Sequence, residues 1–262
     1  MKSLIQYACV LMAAASVTVV RSSGQISLTG GTFTYSENFD SMGSGAEASP
    51  PSGWFAGATK RGGNSDATNG TLFAVPSLST DSGGSTTGTN YNYGTVGDGD
   101  RAIGSLTSAN AVGSNRVTEV RFINNTGFSI TNLSIHYDGE QWRDGGTNAA
   151  NQLSLHFSLD GSTFASMGAA FTFTAPVNGS VGAKDGNLAA NRVANIGGDF
   201  ATSIDNGALF YLRWVDIDDA GSDDGLAIDN FDMTYSVIPE PSTFTLLASG
   251  FLLFLGARRR RR

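Results

Sequence analysis

The stretch ITNLSIHY, residues 130–137, places Leu133, Ile135 and Tyr137 on every second position, with polar side chains between them. A period of two is the spacing of a β-strand that buries one face and exposes the other. The stretch QLSLHFSL, residues 152–159, repeats the pattern with four apolar residues. Both segments therefore predict half-buried strands.

The same alternation continues toward the end of the chain. Strand patterns occupy Leu209–Ile217 and Leu226–Tyr235, and Phe171 and Phe173 alternate just before Pro176. Gly, Ser, Thr and Asn fill the gaps, which is typical of turns between short strands. No segment of useful length between the two ends has a helical period. We predict an all-β, antiparallel, jelly-roll-like β-sandwich with an N-terminal signal helix and a short C-terminal membrane helix.

Two further features concern the interior and the surface of this domain. Trp54 and Trp214 are interpreted as core aromatics, with ligand platforms as the alternative. The segment from Pro76 to Asp100 is rich in Gly, Ser and Thr, and it is predicted to be a long surface loop.

The charge of the domain limits its partners. Residues 25–236 contain nine Lys or Arg against twenty-two Asp or Glu, a difference of −13, and no cysteine. So acidic a surface repels nucleic acid and anionic lipid, which excludes nucleic acid as a partner. It suits cations and uncharged molecules such as neutral glycans. Without disulfides, the stability of the domain depends on its core.

The N-terminus has the parts of a secretory signal peptide. Lys2 precedes an apolar run from Leu4 to Val20, and Ser22 and Gly24 occupy the −3 and −1 positions of a cleavage site before Gln25. We predict that residues 1–24 are removed on export. An uncleaved N-terminal membrane anchor is the alternative.

The C-terminus combines three features in order. Pro239, Glu240 and Pro241 precede an apolar stretch from Phe244 to Ala257, and five arginines, Arg258, Arg259, Arg260, Arg261 and Arg262, end the chain. Fourteen helical residues span roughly 21 Å, less than the ~30 Å hydrocarbon core, so flanking residues or local thinning must cover the difference. The arginines favour a cytoplasmic end and place the domain outside. A plain tail anchor is compatible with the same features.

The segment PEPSTFTLLASGFLLFLGARRRRR resembles the PEP-CTERM sorting signal, because tripeptide, short membrane segment and basic end all match. The resemblance implies recognition by an exosortase, a membrane transpeptidase-like enzyme. It also implies export to the cell envelope or extracellular matrix of a Gram-negative bacterium, with transient anchoring in the inner membrane. We assign residues 237–262 to this segment and residues 25–236 to the β-sandwich.

The ends of the sandwich sequence carry a second resemblance. SENFDSMGSGAEASPPSGWFAG, residues 36–57, and LFYLRWVDIDDAGSDDGLAIDNFDMTY, residues 209–235, resemble jelly-roll domains of bacterial adhesins and carbohydrate-binding modules. The segment GEQWRDGG, residues 139–146, is similar to domains of other PEP-CTERM proteins. The resemblance implies a sandwich fold and favours a binding role.

Six aspartates lie close together in sequence near the C-terminal strands. Hard divalent cations prefer several oxygen ligands at short range, so this loop is a candidate calcium site. A solvated acidic turn is the alternative. The predicted ligands are Asp216, Asp218, Asp219, Asp223, Asp224 and Asp229.

A second group of polar residues follows the strand at 130–137. Asp138 and Glu140 alternate and share a strand face if the strand continues, and paired carboxylates hydrolyse glycosides. Trp142 and Arg143 lie beside them and are suited to stacking on or bonding a sugar. Glu140, Trp142 and Arg143 are the predicted ligand contacts.

No complete catalytic motif accompanies these residues, so we predict a non-catalytic domain that binds a glycan, such as exopolysaccharide, or another envelope component. A secreted glycoside hydrolase or lyase using Asp138 and Glu140 is one alternative. A purely structural coat component is another.

The paired end signals predict processing at both termini. Mass spectrometry of the protein from an exosortase-positive host is expected to find an N-terminus near Gln25 and no Arg258–Arg262 tail. An intact tail in that host contradicts sorting and leaves the plain anchor.

Overall fold

A computed structural model describes residues 24–30, 34–59, 68–108, 115–146 and 150–238. Most of the predicted signal helix and C-terminal membrane helix lies outside these residues. In the part of the chain that is described, no helix is long and apolar enough to cross a membrane.

The described chain is almost entirely β-structure. Two 3₁₀ turns, Asp40–Met42 and Ala169–Phe171, interrupt the strands. The seventeen strands are β1 (Ile26–Leu28), β2 (Thr34–Glu37), β3 (Glu47–Ala48), β4 (Trp54–Ala58), β5 (Phe73–Ala74), β6 (Leu78–Asp81), β7 (Thr89–Tyr93), β8 (Ala102–Leu106), β9 (Arg116–Asn124), β10 (Ser129–Asp144), β11 (Gln152–Ser158), β12 (Ala165–Ser166), β13 (Thr172–Thr174), β14 (Gly182–Ala183), β15 (Arg192–Ile204), β16 (Leu209–Asp216) and β17 (Gly225–Ile238).

These strands form two sheets. The first has the order β12-β11-β16-β9-β4-β5, with β13 beside β11 and β1 beside β9. The second has the order β14-β10-β17-β8-β7-β6-β3, with β15 beside β10 and β2 beside β17. Pairing is antiparallel except between β1 and β9 and between β6 and β7. The predicted all-β sandwich is thus confirmed, with two parallel pairs added.

The core lies between the sheets and is built from alternate residues of the long strands. On β10, Leu133, Ile135 and Tyr137 are fully buried, as the alternation predicts. The next position on that face is Gly139, where a Cβ would come within 2.3 Å of the Phe173 ring. The missing side chain lets the Phe173 ring pack against the strand.

An aromatic cluster joins the two sheets. The Trp54 ring stacks on Trp214 in the first sheet with ring centroids 5.6 Å apart. Phe231 of the second sheet meets both indoles edge-on at 5.3 and 5.6 Å. Phe39 and Tyr137 complete the cluster. Trp54 and Trp214 are 3% and 0% exposed, which confirms their prediction as core residues.

A bulge in β17 changes which residues face the core. Asn230 has a φ of 47°, in the left-handed region, and the pairing with β10 shifts between His136 and Asp138. Before the bulge Ile228 faces the core, and after it Phe231 does. Bulges of this kind re-aim side chains and recur beside functional sites.

Two sequence interpretations need correction. The segment from Pro76 to Asp100 is not one surface loop, because it contains β6 and β7. Tyr91 and Tyr93 of β7 are buried and provide the apolar surface that the Gly- and Ser-rich composition conceals. The strands at 152–159 and 209–217 end one residue earlier than predicted, so Leu159 and Ile217 are about half exposed.

A buried ion pair lies on the outer face of the first sheet. Arg213, 0% exposed, donates from Nε to Glu119 Oε2 at 2.9 Å, and its guanidinium lies 3.6 Å from the Phe164 ring centre. Arg121 Nε approaches the other Glu119 oxygen at 2.7 Å. Glu119 therefore neutralises a fully desolvated cation.

Replacing Glu119 by Ala leaves Arg213 buried without its partner, which typically costs about 3–5 kcal/mol. We expect Glu119→Ala to lower the free energy of unfolding by that amount in denaturant titrations. Glu47→Ala, at an exposed position, is the control and should change it by less than about 0.5 kcal/mol. If Glu119→Ala lowers the free energy of unfolding by less than about 1 kcal/mol, the ion pair with Arg213 is not required for stability.

Candidate functional site

Strand β10 continues to Asp144, so Asp138 and Glu140 share its outer face, as predicted, and Trp142 lies on the same face. Glu140 is 0% and Trp142 1% exposed. The indole Nε1 donates to Glu140 Oε2 at 2.9 Å, and its ring stacks on Tyr93 at 5.8 Å. Neither residue is placed to touch a glycan, and a substrate cannot reach the Glu140 carboxylate.

Glu140 belongs to a group of carboxylates that we call the Glu140 cluster: Glu140, Asp138, Asp229 and Asp100. Asp138 pairs across the strands with Asp229, and Arg192 Nη2 approaches Asp138 Oδ2 at 3.4 Å. The second oxygen of Glu140, Oε1, is buried and accepts no hydrogen bond from any described residue. If all four carboxyls were ionised, their negative charge would exceed the single positive charge of Arg192.

Burial and repulsion from neighbouring carboxylates raise the pKa values of Glu140 and Asp229. Burial raises the pKa of Glu140 to about 7, against a smaller opposing effect of the Trp142 N–H. Burial, followed by the charge on Glu140, raises the pKa of Asp229 to about 8. Both carboxyls therefore hold protons at pH values where ordinary carboxyls are ionised.

The carboxylates of the acidic loop at 216–224 accept hydrogen bonds from the loop itself and from neighbouring strands. Asp216 Oδ2 accepts from Ser105 Oγ at 2.6 Å, and Asp223 Oδ1 accepts from Asp219 N at 2.9 Å. Asp224 Oδ1 accepts from Gly145 N at 2.8 Å. Burial raises the pKa of Asp223 to about 7 and of Asp224 to about 6. Protein donors thus already occupy these carboxylates.

The six predicted calcium ligands do not form one group. Asp229 lies within β17 in the Glu140 cluster, separated from Asp223 and Asp224 before the strand. Across the described ranges, no three or more His, Cys, Asp or Glu side chains are placed to hold a metal ion together. Calcium binding stays a prediction.

A cavity of about 460 Å³ opens at the end of the sandwich where β8 and β10 finish and β17 begins. Small-molecule pockets typically enclose ~300–1,000 Å³. We call it the end pocket. Its lining combines hydroxyl groups, one cation, one carboxylate and two apolar side chains, contributed by Thr86, Leu106, Thr107, Ser108, Arg143, Gly145, Val181, Gly221, Ser222 and Asp223.

Arg143 is the predicted ligand contact that reaches the end pocket. Its Nη1 donates to the carbonyls of Gly83 and Gly84 at 3.2 and 3.4 Å, which fixes the guanidinium at the pocket wall. Asp223, predicted as a metal ligand, lines the same pocket. Sequence reasoning missed the hydroxyl residues, because Ser and Thr are abundant throughout and carry no motif.

The raised pKa values predict an unusual dependence of stability on pH. Between about pH 4 and 8 the folded Glu140 and Asp229 keep protons that the unfolded chain releases, so stability falls as pH rises. We expect a higher melting temperature at pH 5 than at pH 8.5. Glu140→Gln should reduce this difference in melting temperature. At pH 8.5 it should raise the free energy of unfolding by up to about 3 kcal/mol, because each unit of pKa shift corresponds to ~1.4 kcal/mol.

Glu47→Gln removes an exposed carboxylate and serves as the matched control, with no expected effect on the slope. Thermal unfolding of both variants is measured in the presence of a chelator, so that no metal ion neutralises the carboxylates of the Glu140 cluster. A melting temperature that rises from pH 5 to pH 8.5 would contradict the description of the Glu140 cluster.

Comparison with solved structures finds distant likenesses. The K2 cleaved adhesin domain of Lys-gingipain is 14% identical, with 78% of this chain and 100% of that chain covered and a TM-score of 0.37. The K3 domain from Porphyromonas gingivalis w83 is 12% identical, with 78% and 99% covered and a TM-score of 0.34. The enzymatically active domain of tailspike protein 4 from bacteriophage CBA120 is 12% identical, with 71% and 20% covered and a TM-score of 0.29. These likenesses are too distant to transfer a ligand or an activity.

No protein of curated function matches the sequence. Residues 237–262 match the PEP-CTERM protein-sorting motif, which confirms the sorting signal predicted from the tail. The motif implies an exported protein that is processed by an exosortase.

Proposed function

We propose that this exported protein is a non-catalytic envelope protein that binds an uncharged glycan in the end pocket. The observation that carries the proposal is the lining of that pocket. Thr86, Thr107, Ser108 and Ser222 present hydroxyl groups around a single Arg and a single Asp. A sugar offers hydroxyls that both donate and accept, which matches such a lining.

The guanidinium supplies the strongest available donor. Only Nη1 of Arg143 is hydrogen-bonded among the described residues, so Nη2 can donate to a ligand oxygen. Leu106 and Val181 add apolar surface against which the C–H face of a sugar ring can pack. Pockets of this kind fix a ligand by a few polar groups on an apolar wall.

The negative charge of the domain supports an uncharged ligand, and the burial of Glu140 supports a non-catalytic role. The difference of −13 between basic and acidic residues in 25–236 repels anionic polysaccharides. The Glu140 carboxyl, which the hydrolase alternative requires, is 0% exposed and bonded to Trp142.

Binding to neutral oligosaccharides of the host's exopolysaccharide tests the proposal. Arg143→Gln should weaken binding about tenfold or more, since hydrogen bonds to charged groups contribute ~1.5–3 kcal/mol. Val181→Trp should block binding by filling the pocket, because Val181 is 69% exposed at its wall. Affinity is measured by calorimetry.

Lys184→Gln is the matched control, because it removes a nearby positive charge that does not line the pocket. Its affinity should equal that of the parent protein. Unchanged binding in both Arg143→Gln and Val181→Trp would contradict the pocket assignment. Release of reducing sugar by the parent protein would contradict a non-catalytic role.

A further inference from the structure

The folded sheet and the sorting signal share residues. The sorting motif begins at residue 237, whereas β17 ends at Ile238. Val237 pairs with Ile130 of β10, and Ile238 pairs with Ser129. Pro239, the first residue of the PEP tripeptide, therefore follows directly in sequence after Ile238, which is paired in the sheet.

An enzyme that binds a peptide in extended form needs its backbone groups unpaired, because the same N–H and C=O groups form the hydrogen bonds of recognition. The residues on the N-terminal side of Pro239 do not meet this condition. They are part of the ladder between β10 and β17, and the side chain of Val237 packs against the core.

The end of β17 is held more weakly than its middle. The pairing of β2 with β17 ends at Thr234, so residues 235–238 pair on only one edge among the described residues. The last firm attachment is Tyr235. Its hydroxyl donates to the carbonyls of Thr29 and Gly30 at 3.0 and 3.1 Å, and its side chain is 3% exposed.

We propose that the exosortase engages the tail only after residues 236–238 separate from β10, so the folded domain limits the rate of its own sorting. Opening as far as Tyr235 frees three residues, about 10 Å of extended chain. Opening beyond that point breaks the Tyr235 hydrogen bonds and removes its ring from the core. Tyr235 therefore sets the extent of chain that is released.

The inference does not depend on glycan binding. It is tested with the full chain in an exosortase-positive host, by pulse-chase of precursor and processed forms. Six Gly-Ser residues inserted between Ile238 and Pro239 give the enzyme about 20 Å of unpaired chain without opening the sheet. Processing of this variant should be at least about fivefold faster than that of the native chain, the factor equivalent to one net hydrogen bond.

The same six residues inserted between Val96 and Gly97, in an exposed turn, are the control and should leave the rate unchanged. Tyr235→Phe removes the hydrogen bonds that limit opening to residues 236–238, so a longer stretch of the strand can separate. It should therefore accelerate processing of the native chain and have no effect in the variant with the linker. An effect of Tyr235→Phe that is confined to the native chain distinguishes release of the strand end from general destabilisation of the domain.

Equal rates for the native chain and the linker variant would overturn the proposal. An equal acceleration by Tyr235→Phe with and without the linker would also overturn it. The proposal also requires that the exosortase processes this chain. It fails if the native chain is processed no more in the exosortase-positive host than in an exosortase-deficient host.

Discussion

The contact between Trp54, Trp214 and Phe231 is the constraint on which the sandwich depends. Two stacked indoles from one sheet meet a phenyl ring from the other. Trp54 comes from β4, near the start of the domain, and Trp214 and Phe231 come from its last two strands. These rings pack the two sheets against each other within the main core. Large aromatic side chains contribute strongly to core stability, and in a domain without disulfides no covalent link replaces them.

The bulge at Asn230 links this core to the polar outer face. It keeps Phe231 among the aromatic rings while Asp229 remains on the opposite side, next to Asp138 and Glu140. The same backbone feature thus serves the core and creates a cluster of buried carboxyls. Such a cluster is unfavourable when ionised, and protons or a bound cation lower its energy.

The alternating segment at 130–137 predicted a strand correctly because its alternate residues bury one apolar face, although β10 continues to Asp144. The segment at 226–235 also predicted a strand, but not the bulge at Asn230 that shifts its apolar face by one residue. The strand at 89–93 was missed, since its apolar residues are two tyrosines within a Gly- and Ser-rich stretch. Asp138 and Glu140 were predicted to share a strand face, but the burial of Glu140 and Trp142 was not predicted, because the chain before β15, with Gly186 against the Trp142 ring, packs on that face. The end pocket was not predictable, because it is assembled from five separated segments that share no sequence pattern.

The end pocket and the sorting tail lie at opposite ends of β17. Gly225, the first residue of that strand, pairs beside Arg143 and Leu106 of the pocket, and Ile238, the last, adjoins the tail. Fourteen strand residues separate them by roughly 45 Å. An attachment at the C-terminal end of β17 would therefore leave the mouth of the pocket uncovered.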